Sequence, residues 1–328
     1  MRAWSVTAFG TPPHLVALQE PVPGPGDALV RVSAVGLNFA DLLMLEGRYQ
    51  TRPALPYTPG MEFSGVVESL GPGTAGPLPG TRVLGVCGSG ALADRICISA
   101  NRLSALPPQM PFAEAAGFSI TYGTAHLALT HRARLQPGEA LLVTGAAGGA
   151  GLTAVEIGKL LGARVIATAR GPERCAAAGR AGADLTIDSD SPGLKEALRA
   201  AGGVDVVYDT VGGPAFDEAL RATRPDGRLL TIGFASGAVP QIAANLLLVK
   251  NLTVIGFWYG GYEIHAPHLV AGSMDTLLGW YATGRLKPQV SNILPFAAFP
   301  DGLALLRNRT ATGKVVISLD QATPTRSA

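Results

Sequence analysis

Residues 141–170 read LLVTGAAGGAGLTAVEIGKLLGARVIATAR. An apolar run closes at Thr144, glycines stand at 145, 148, 149 and 151, a helix-forming stretch follows, and a second apolar run ends the segment. Strand, glycine turn, helix, strand is the unit that sets a pyrophosphate on a helix N-terminus. The glycines let backbone N–H groups come close to phosphate oxygens with no Cβ in the way. Such fingerprints usually place an acidic side chain on the second strand, roughly 20 residues on, to bind the ribose 2′-OH. Here the strand Arg164–Ala169 ends in Arg170, with Gly171 and Arg174 just beyond and no carboxylate at the strand end. A cation there suits a 2′-phosphate, so the expected cofactor is NADP(H) rather than NAD(H).

The turn sits among further strand–helix units. Apolar strands at Val204–Tyr208 and Arg228–Ile232 alternate with helical stretches at Glu173–Ala181, Gly193–Ala200 and Ala215–Ala222, with a short strand at Leu185–Asp188. That alternation predicts a doubly wound parallel sheet. No Gly-Lys-Ser/Thr follows, which excludes a phosphate loop of the ATPase kind. The segment Thr144–Gly151 also fits the TGxxxGxG pattern of short-chain dehydrogenases. That family carries it near the N-terminus with a Tyr-x-x-x-Lys pair; here it starts far into the chain and no tyrosine has a lysine four positions later.

Upstream the texture differs. Ala28–Val35 alternates like a half-buried strand, and Gly65–Leu70 and Arg82–Val86 are short apolar runs between Gly and Pro residues, as in a small irregular barrel. Phe112–Leu129 is Ala-rich and reads as one helix. The apolar tail strand Lys314–Leu319 follows a helix, Asp301–Asn308, and can return to the first domain. At 328 residues the chain has room for about two domains.

A net charge of +2 with dispersed basic residues argues against nucleic acid or an anionic membrane as partner. No stretch approaches a membrane span and MRAWSVTAFG has no signal-peptide core, so a cytoplasmic protein is expected. The three cysteines, Cys87, Cys97 and Cys175, are too few and scattered for a disulfide framework.

Residues 35–73, VGLNFADLLMLEGRYQTRPALPYTPGMEFSGVVESLGPG, together with the late glycine turn and the closing Thr312-Gly313-Lys314-Val315-Val316, resemble the zinc-independent quinone oxidoreductases. These form the zeta-crystallin-like branch of the medium-chain dehydrogenase/reductase superfamily. The resemblance implies an α/β chain: a GroES-like irregular β-barrel catalytic domain at 1–112 and 289–328, plus a Rossmann doubly wound parallel sheet at 113–288. The superfamily's alcohol dehydrogenases hold a catalytic zinc through a Cys where this chain has Asn38 and a His where it has Met61. Asn and Met are poor zinc ligands, so no metal is expected. Without that Lewis acid, acceptors needing less polarisation fit better, such as quinones or enones.

The same resemblance implies that Asn38 and Tyr49 line the nicotinamide and substrate cleft between the domains, and that Thr124 stands beside the nicotinamide. Gly148, Gly149 and Ala150 would form the pyrophosphate turn, and Arg170, Gly171 and Arg174 the 2′-phosphate loop. Ser189 stands where a Tyr often packs on the adenosine phosphate. Val211, Gly233, Phe234, Ala235, Gly256, Phe257 and Trp258 match loops facing the cofactor, and Arg309 a basic residue reaching it from the C-terminal segment. Leu43 stands where some members have a second cleft tyrosine. The run Asn251–Tyr259 matches a strand that commonly extends the sheet through a homodimer.

The implied activity is NADPH-dependent quinone reduction by hydride transfer. Enoyl or 2-alkenal double-bond reduction, and nucleotide binding without turnover, are the alternatives. Glu263-x-His265-x-x-His268 invites a metal reading, but Pro267 breaks any helix that would align the ligands, so a loop is expected. Asp41 and Glu62 are expected to hydrogen-bond within the first domain rather than to form an acid/base pair.

Overall fold

The computed structural model describes residues 1–319; the last nine residues assigned above to the first domain lie outside the described residues. The chain divides into two compact units, one built from Met1–Ile120 and the residues from Pro288 onward, the other from Thr121–Lys287. The first crossing falls at Ile120, later than the expected 112, because the helix Phe112–Ala116 belongs to the first unit, where Phe112 and Ala116 pack with Ala34 and Val316.

In the second unit six parallel strands line up as Leu185–Asp188, Arg164–Ala169, Ala140–Val143, Val204–Asp209, Thr223–Thr231 and Thr253–Gly256. The three central strands, Arg164–Ala169, Ala140–Val143 and Val204–Asp209, are buried almost throughout, as parallel strands covered by helices must be. Leu142, Ile166, Val207 and Leu229 close one face with Phe216 and Leu220 of the helix Gly213–Ala222. The order reverses beside Ala140–Val143, which carries the glycine turn at its end. Open α/β sheets bind ligands at such a reversal.

The first unit is a seven-stranded mixed sheet running Val290–Pro295, Lys314–Ser318, Asp27–Leu37, Glu62–Leu70, Arg82–Val86 and Leu103–Ala105, with Arg95–Ser99 also on Asp27–Leu37. Register shifts where Asp27–Leu37 meets Glu62–Leu70 curl this sheet around Leu37, Phe63 and Phe299. The tail strand does return, pairing antiparallel with Ala34–Leu37. The predicted helix over 112–129 is two, Phe112–Ala116 and Ser119–Leu127. The chain turns at Gly117, where a Cβ would stand 2.8 Å from Cε of Lys314. Gly117 C-caps the first helix, a local stop signal that the Ala-rich reading passed over.

Two smaller expectations also change. The aromatic run 251–259 is strand only over Thr253–Gly256, and Tyr259 already opens the helix Tyr259–His265. Glu263 and His265 therefore lie on a helix rather than a loop. His268 lies on the next helix, Pro267–Ala282, past the break that Pro267 makes. Among the described residues no group of three or more His, Cys, Asp or Glu is placed to hold a metal ion.

Candidate active site

The predicted site residues fall into two sets, one in each unit. In the second unit, Gly148 is the N-cap of the helix Gly149–Leu160 and supplies no side-chain cap. The first-turn N–H groups of Gly149, Ala150 and Gly151 thus lack a side-chain acceptor, and the helix dipole adds its positive end there. Two glycines make this geometry possible. Gly145 holds φ +62°, and a Cβ on it would meet Thr210 Oγ1 at 2.5 Å. Gly151 lies against the turn itself: a Cβ there would sit 2.6 Å from Cα of Ala146 and closer still to the Gly145 carbonyl oxygen.

Sequence reasoning passed over the residues that brace this turn. Thr144 Oγ1 donates to the buried carboxylate of Asp209 in a short bond and accepts the Thr210 N–H at 3.1 Å. Thr210 Oγ1 donates back to the Thr144 carbonyl at 2.8 Å. Burial raises the Asp209 pKa above the ordinary carboxylate value, opposed by Thr144 and by the N–H groups of Gly212 and Val211. Asp209 thus ties the ends of the two central strands together. An aspartate closing a buried apolar strand was the available signal.

Val211, Gly233, Phe234 and Ala235 come together at the ends of adjacent strands. Ala235 N–H donates to the Thr210 carbonyl at 3.1 Å, and Ser236 N–H to that of Val211 at 2.9 Å. Gly256 ends the edge strand beside Thr231. Phe257 is buried and stacks on Tyr262 with ring centroids 5.2 Å apart. Trp258 lies against Gly260 and Gly261, and Thr124 is buried on the helix Ser119–Leu127.

At the end of the second strand, Arg170 is the N-cap of the helix Gly171–Arg180, and Arg174 lies at the end of its first turn. The sequence reading missed what faces them. Arg170 Nε pairs with Asp190 at 3.3 Å, and the Gly171 N–H donates to Asp188 at 2.9 Å. Both carboxylates come from the neighbouring strand end. The Gly171 contact and a second backbone N–H, from Asp190, hold the Asp188 carboxyl below its ordinary pKa. Ser189 is exposed between them, its N–H bonded to the Ala169 carbonyl at 2.9 Å. The Arg170–Asp190 pair is solvent-exposed, and such pairs are worth roughly 0–1 kcal/mol, so a phosphate can compete for this guanidinium.

In the first unit, Asn38 caps the helix Phe39–Leu45, its N–H donating to Asp41 at 2.8 Å. Its side chain is almost fully buried: Nδ2 donates to Glu62 Oε1 at 2.9 Å and Oδ1 accepts from Lys314 Nζ at 2.8 Å. Lys314 Nζ also donates to Glu62 Oε1 at 2.8 Å and to the Leu37 carbonyl at 2.9 Å. Glu62 Oε2 accepts the Ile120 N–H at 2.9 Å. Asp41 and Glu62 do bond within the first unit. Tyr49 packs half-buried against that unit's core. Arg309 is exposed just past the helix Phe299–Arg307, with left-handed φ of 54°.

The donor set around Asn38 does not fit a zinc ion. A thioether and an amide are poor ligands, and the amide oxygen and carboxylate already hold an ammonium. Burial pushes the Asp41 carboxyl up to about 7, against the Asn38 N–H and the nearby Lys314 charge, while Glu62 adds to the rise. Its Oδ1 has no hydrogen-bond partner among the described residues. The folded chain therefore binds a proton on Asp41 that the unfolded chain releases above about pH 4. Stability is full below that pH and is lost as pH rises toward about 7, where the loss levels off. Asp41→Asn lacks this loss, so its melting temperature should gain on the wild type between those pH values. Parallel melting curves across pH 4–8 would show that Asp41 is already ionised in the fold.

The model of the alcohol dehydrogenase GroES-like domain matches residues 24–108, and that of the zinc-binding dehydrogenase matches 149–272. A quinone oxidoreductase-like protein 2 from Bos taurus is 39% identical over 299 residues, 90% of this chain and 86% of that protein. The quinone oxidoreductase from Thermus thermophilus, solved also in complex with NADPH, superposes with TM-score 0.87 at 37% identity, covering 97% of this chain and 100% of that one. The Escherichia coli quinone oxidoreductase complexed with NADPH gives 0.89 at 27% identity, with 97% and 100% covered. The chain belongs to the medium-chain dehydrogenase/reductase superfamily, and within it to the quinone oxidoreductase type. It is an oxidoreductase of that family.

Proposed function

We propose that this chain is an NADPH-dependent quinone oxidoreductase that works without zinc. The observation that carries the reading is the glycine turn at an uncapped helix N-terminus, followed one strand later by Arg170 and Arg174. When bound, NADPH supplies a hydride, and the quinone takes up that hydride and a proton to become a hydroquinone. The first-turn N–H groups of Gly149 and Ala150 hold the pyrophosphate, and the two guanidinium groups hold the 2′-phosphate. Val211, Gly233, Phe234, Ala235 and Gly256 at the strand ends, with Thr124, Ser189, Phe257, Trp258 and Arg309, complete the proposed cofactor contacts. Asn38 and Tyr49 face the acceptor, and the Tyr49 hydroxyl or water delivers the proton; unchanged turnover in Tyr49→Phe would assign it to water.

The test is NADPH oxidation, followed by absorbance, against quinones, 2-alkenals and enoyl thioesters. Turnover should be fastest with quinones. Faster turnover of enals or thioesters would move the assignment to double-bond reduction, and NADPH binding without oxidation of any of them would make the chain a nucleotide-binding protein.

Among the described residues the strand Thr253–Gly256 is one of the two edges of the parallel sheet, and the helix before it leaves Leu248 77% and Val249 70% exposed. An unpaired edge beside exposed apolar side chains is an association surface, and we read it as the homodimer contact. Light scattering should give twice the chain mass of 33.6 kDa, and Leu248→Asp with Val249→Asp should reduce it to one chain.

A further inference from the structure

The Lys314 ammonium is nearly buried, at 6% exposure, and its three N–H donors have three oxygen acceptors within 2.9 Å. Lysine has three donors and no acceptor, so this group is saturated. Its stem packs on Gly117, the position where a Cβ would meet Cε. Glu62 is fully buried and bonds both Lys314 and the Asn38 amide. These bonds decide the orientation of the Asn38 carboxamide. A flip would place Nδ2 against the ammonium and Oδ1 against the carboxylate, two like-pole contacts in a site nearly closed to water. One Nδ2 proton goes to Glu62. The other makes a long hydrogen bond, 3.4 Å, to the Gly36 carbonyl, the weaker of the two and the one a ligand oxygen would replace.

We propose that Lys314 is a positioning residue for the reaction: held by Glu62, its ammonium fixes and polarises the Asn38 amide so that an N–H is offered to the acceptor oxygen. The inference rests on the quinone-reductase reading above and deepens it. A cation bonded to the amide oxygen draws charge from the amide nitrogen and strengthens its N–H as a donor. Charge that develops on a quinone oxygen during reduction is stabilised by a preorganised donor of this kind. In relatives that bind zinc, the metal polarises the oxygen directly. Here a fixed internal cation does so one amide removed.

Lys314→Met alone leaves Glu62 buried and unpaired, which destabilises the fold whatever the role of the lysine. The double variant Glu62→Gln with Lys314→Met removes both charges and keeps an amide beside Asn38. It should melt near the wild type while kcat for quinones falls at least about tenfold, with NADPH affinity changed less than about threefold. Acceptors with low electron affinity should lose most. Asn38→Ala should lower kcat to a similar extent. With isotope-labelled asparagine, the Asn38 side-chain amide, identified by its loss in Asn38→Ala, should exchange slowly with water in the wild type and faster in the double variant.

Unchanged amide exchange in the double variant overturns the inference whatever the activity, because the ammonium then fixes nothing. Full kcat in the double variant alongside a slow Asn38→Ala overturns the positioning role and leaves Asn38 in the site. Full kcat in Asn38→Ala removes Asn38 from the reaction, and the inference with it. A wild-type protein inactive toward every quinone would instead fail the functional reading, and the exchange measurement would still decide what holds the amide.

Discussion

Gly151→Ala is expected to weaken NADPH binding by about ten- to a hundredfold and to lower the melting temperature by several degrees. The added Cβ would lie 2.6 Å from Cα of Ala146 and against the Gly145 carbonyl, both backbone, so no side-chain rotation can relieve it. Gly145 cannot retreat either, since its other side is closed by Thr210 Oγ1 and the Val211 side chain. Either the helix Gly149–Leu160 or the turn must shift. Overpacking of this sort costs about 1–3 kcal/mol. A domain of this size loses about 2–4 °C per kcal/mol. The shift also displaces the N–H groups proposed to face the pyrophosphate, and each 1.4 kcal/mol is about tenfold in affinity. Gly179→Ala is the matched control: it lies on the helix Gly171–Arg180, and a Cβ there meets nothing within 4 Å. That change should stabilise the helix slightly and leave NADPH binding alone. Fluorescence titration with NADPH and a thermal melt measure both quantities, and wild-type values for Gly151→Ala would mean the turn is looser than described.

Arg174→Ala should raise KM for NADPH by about ten- to a hundredfold while changing KM for NADH less than about threefold. A hydrogen bond between a guanidinium and a phosphate is charge-assisted and contributes about 1.5–3 kcal/mol, and NADH lacks the group that would receive it. Arg170→Ala should show the same selectivity, with Asp190, 3.3 Å from Arg170, competing with the phosphate for that guanidinium. Asp190→Asn removes that competition and should lower KM for NADPH a few fold. Equal losses for both dinucleotides in Arg174→Ala would take the phosphate contact away from this loop. Raising ionic strength should blunt the preference as well, since both guanidinium groups are partly exposed and screened by salt.

What could be read before folding was whatever is encoded within one supersecondary unit. The strand Arg164–Ala169 and the short strand Leu185–Asp188 have in the structure the limits their apolar runs imply. The turn between Thr144 and Gly151 was legible because Gly145, with its positive φ, and Gly151, pressed on the turn's own backbone, leave no room for a side chain. The helix over 112–129 misled because its Ala-rich pattern was read through Gly117, which C-caps the first helix and leaves room for the stem of a lysine from the far end of the chain. Asp188 and Asp190 escaped notice since the fingerprint looks to the second strand, whereas these carboxylates arrive from the third.

The sequence by itself determined the class of protein, through a glycine turn, a cationic strand end and an amide where a zinc ligand would stand. Those signals lie within short segments, where spacing along the chain is spacing in space. Only the tertiary structure decided what Asn38 touches. Lys314 lies 276 positions from it and 252 from Glu62, and the three meet because the tail strand pairs back onto Ala34–Leu37. A buried charge must find its partner wherever the fold brings one, and no local pattern records which residue that will be.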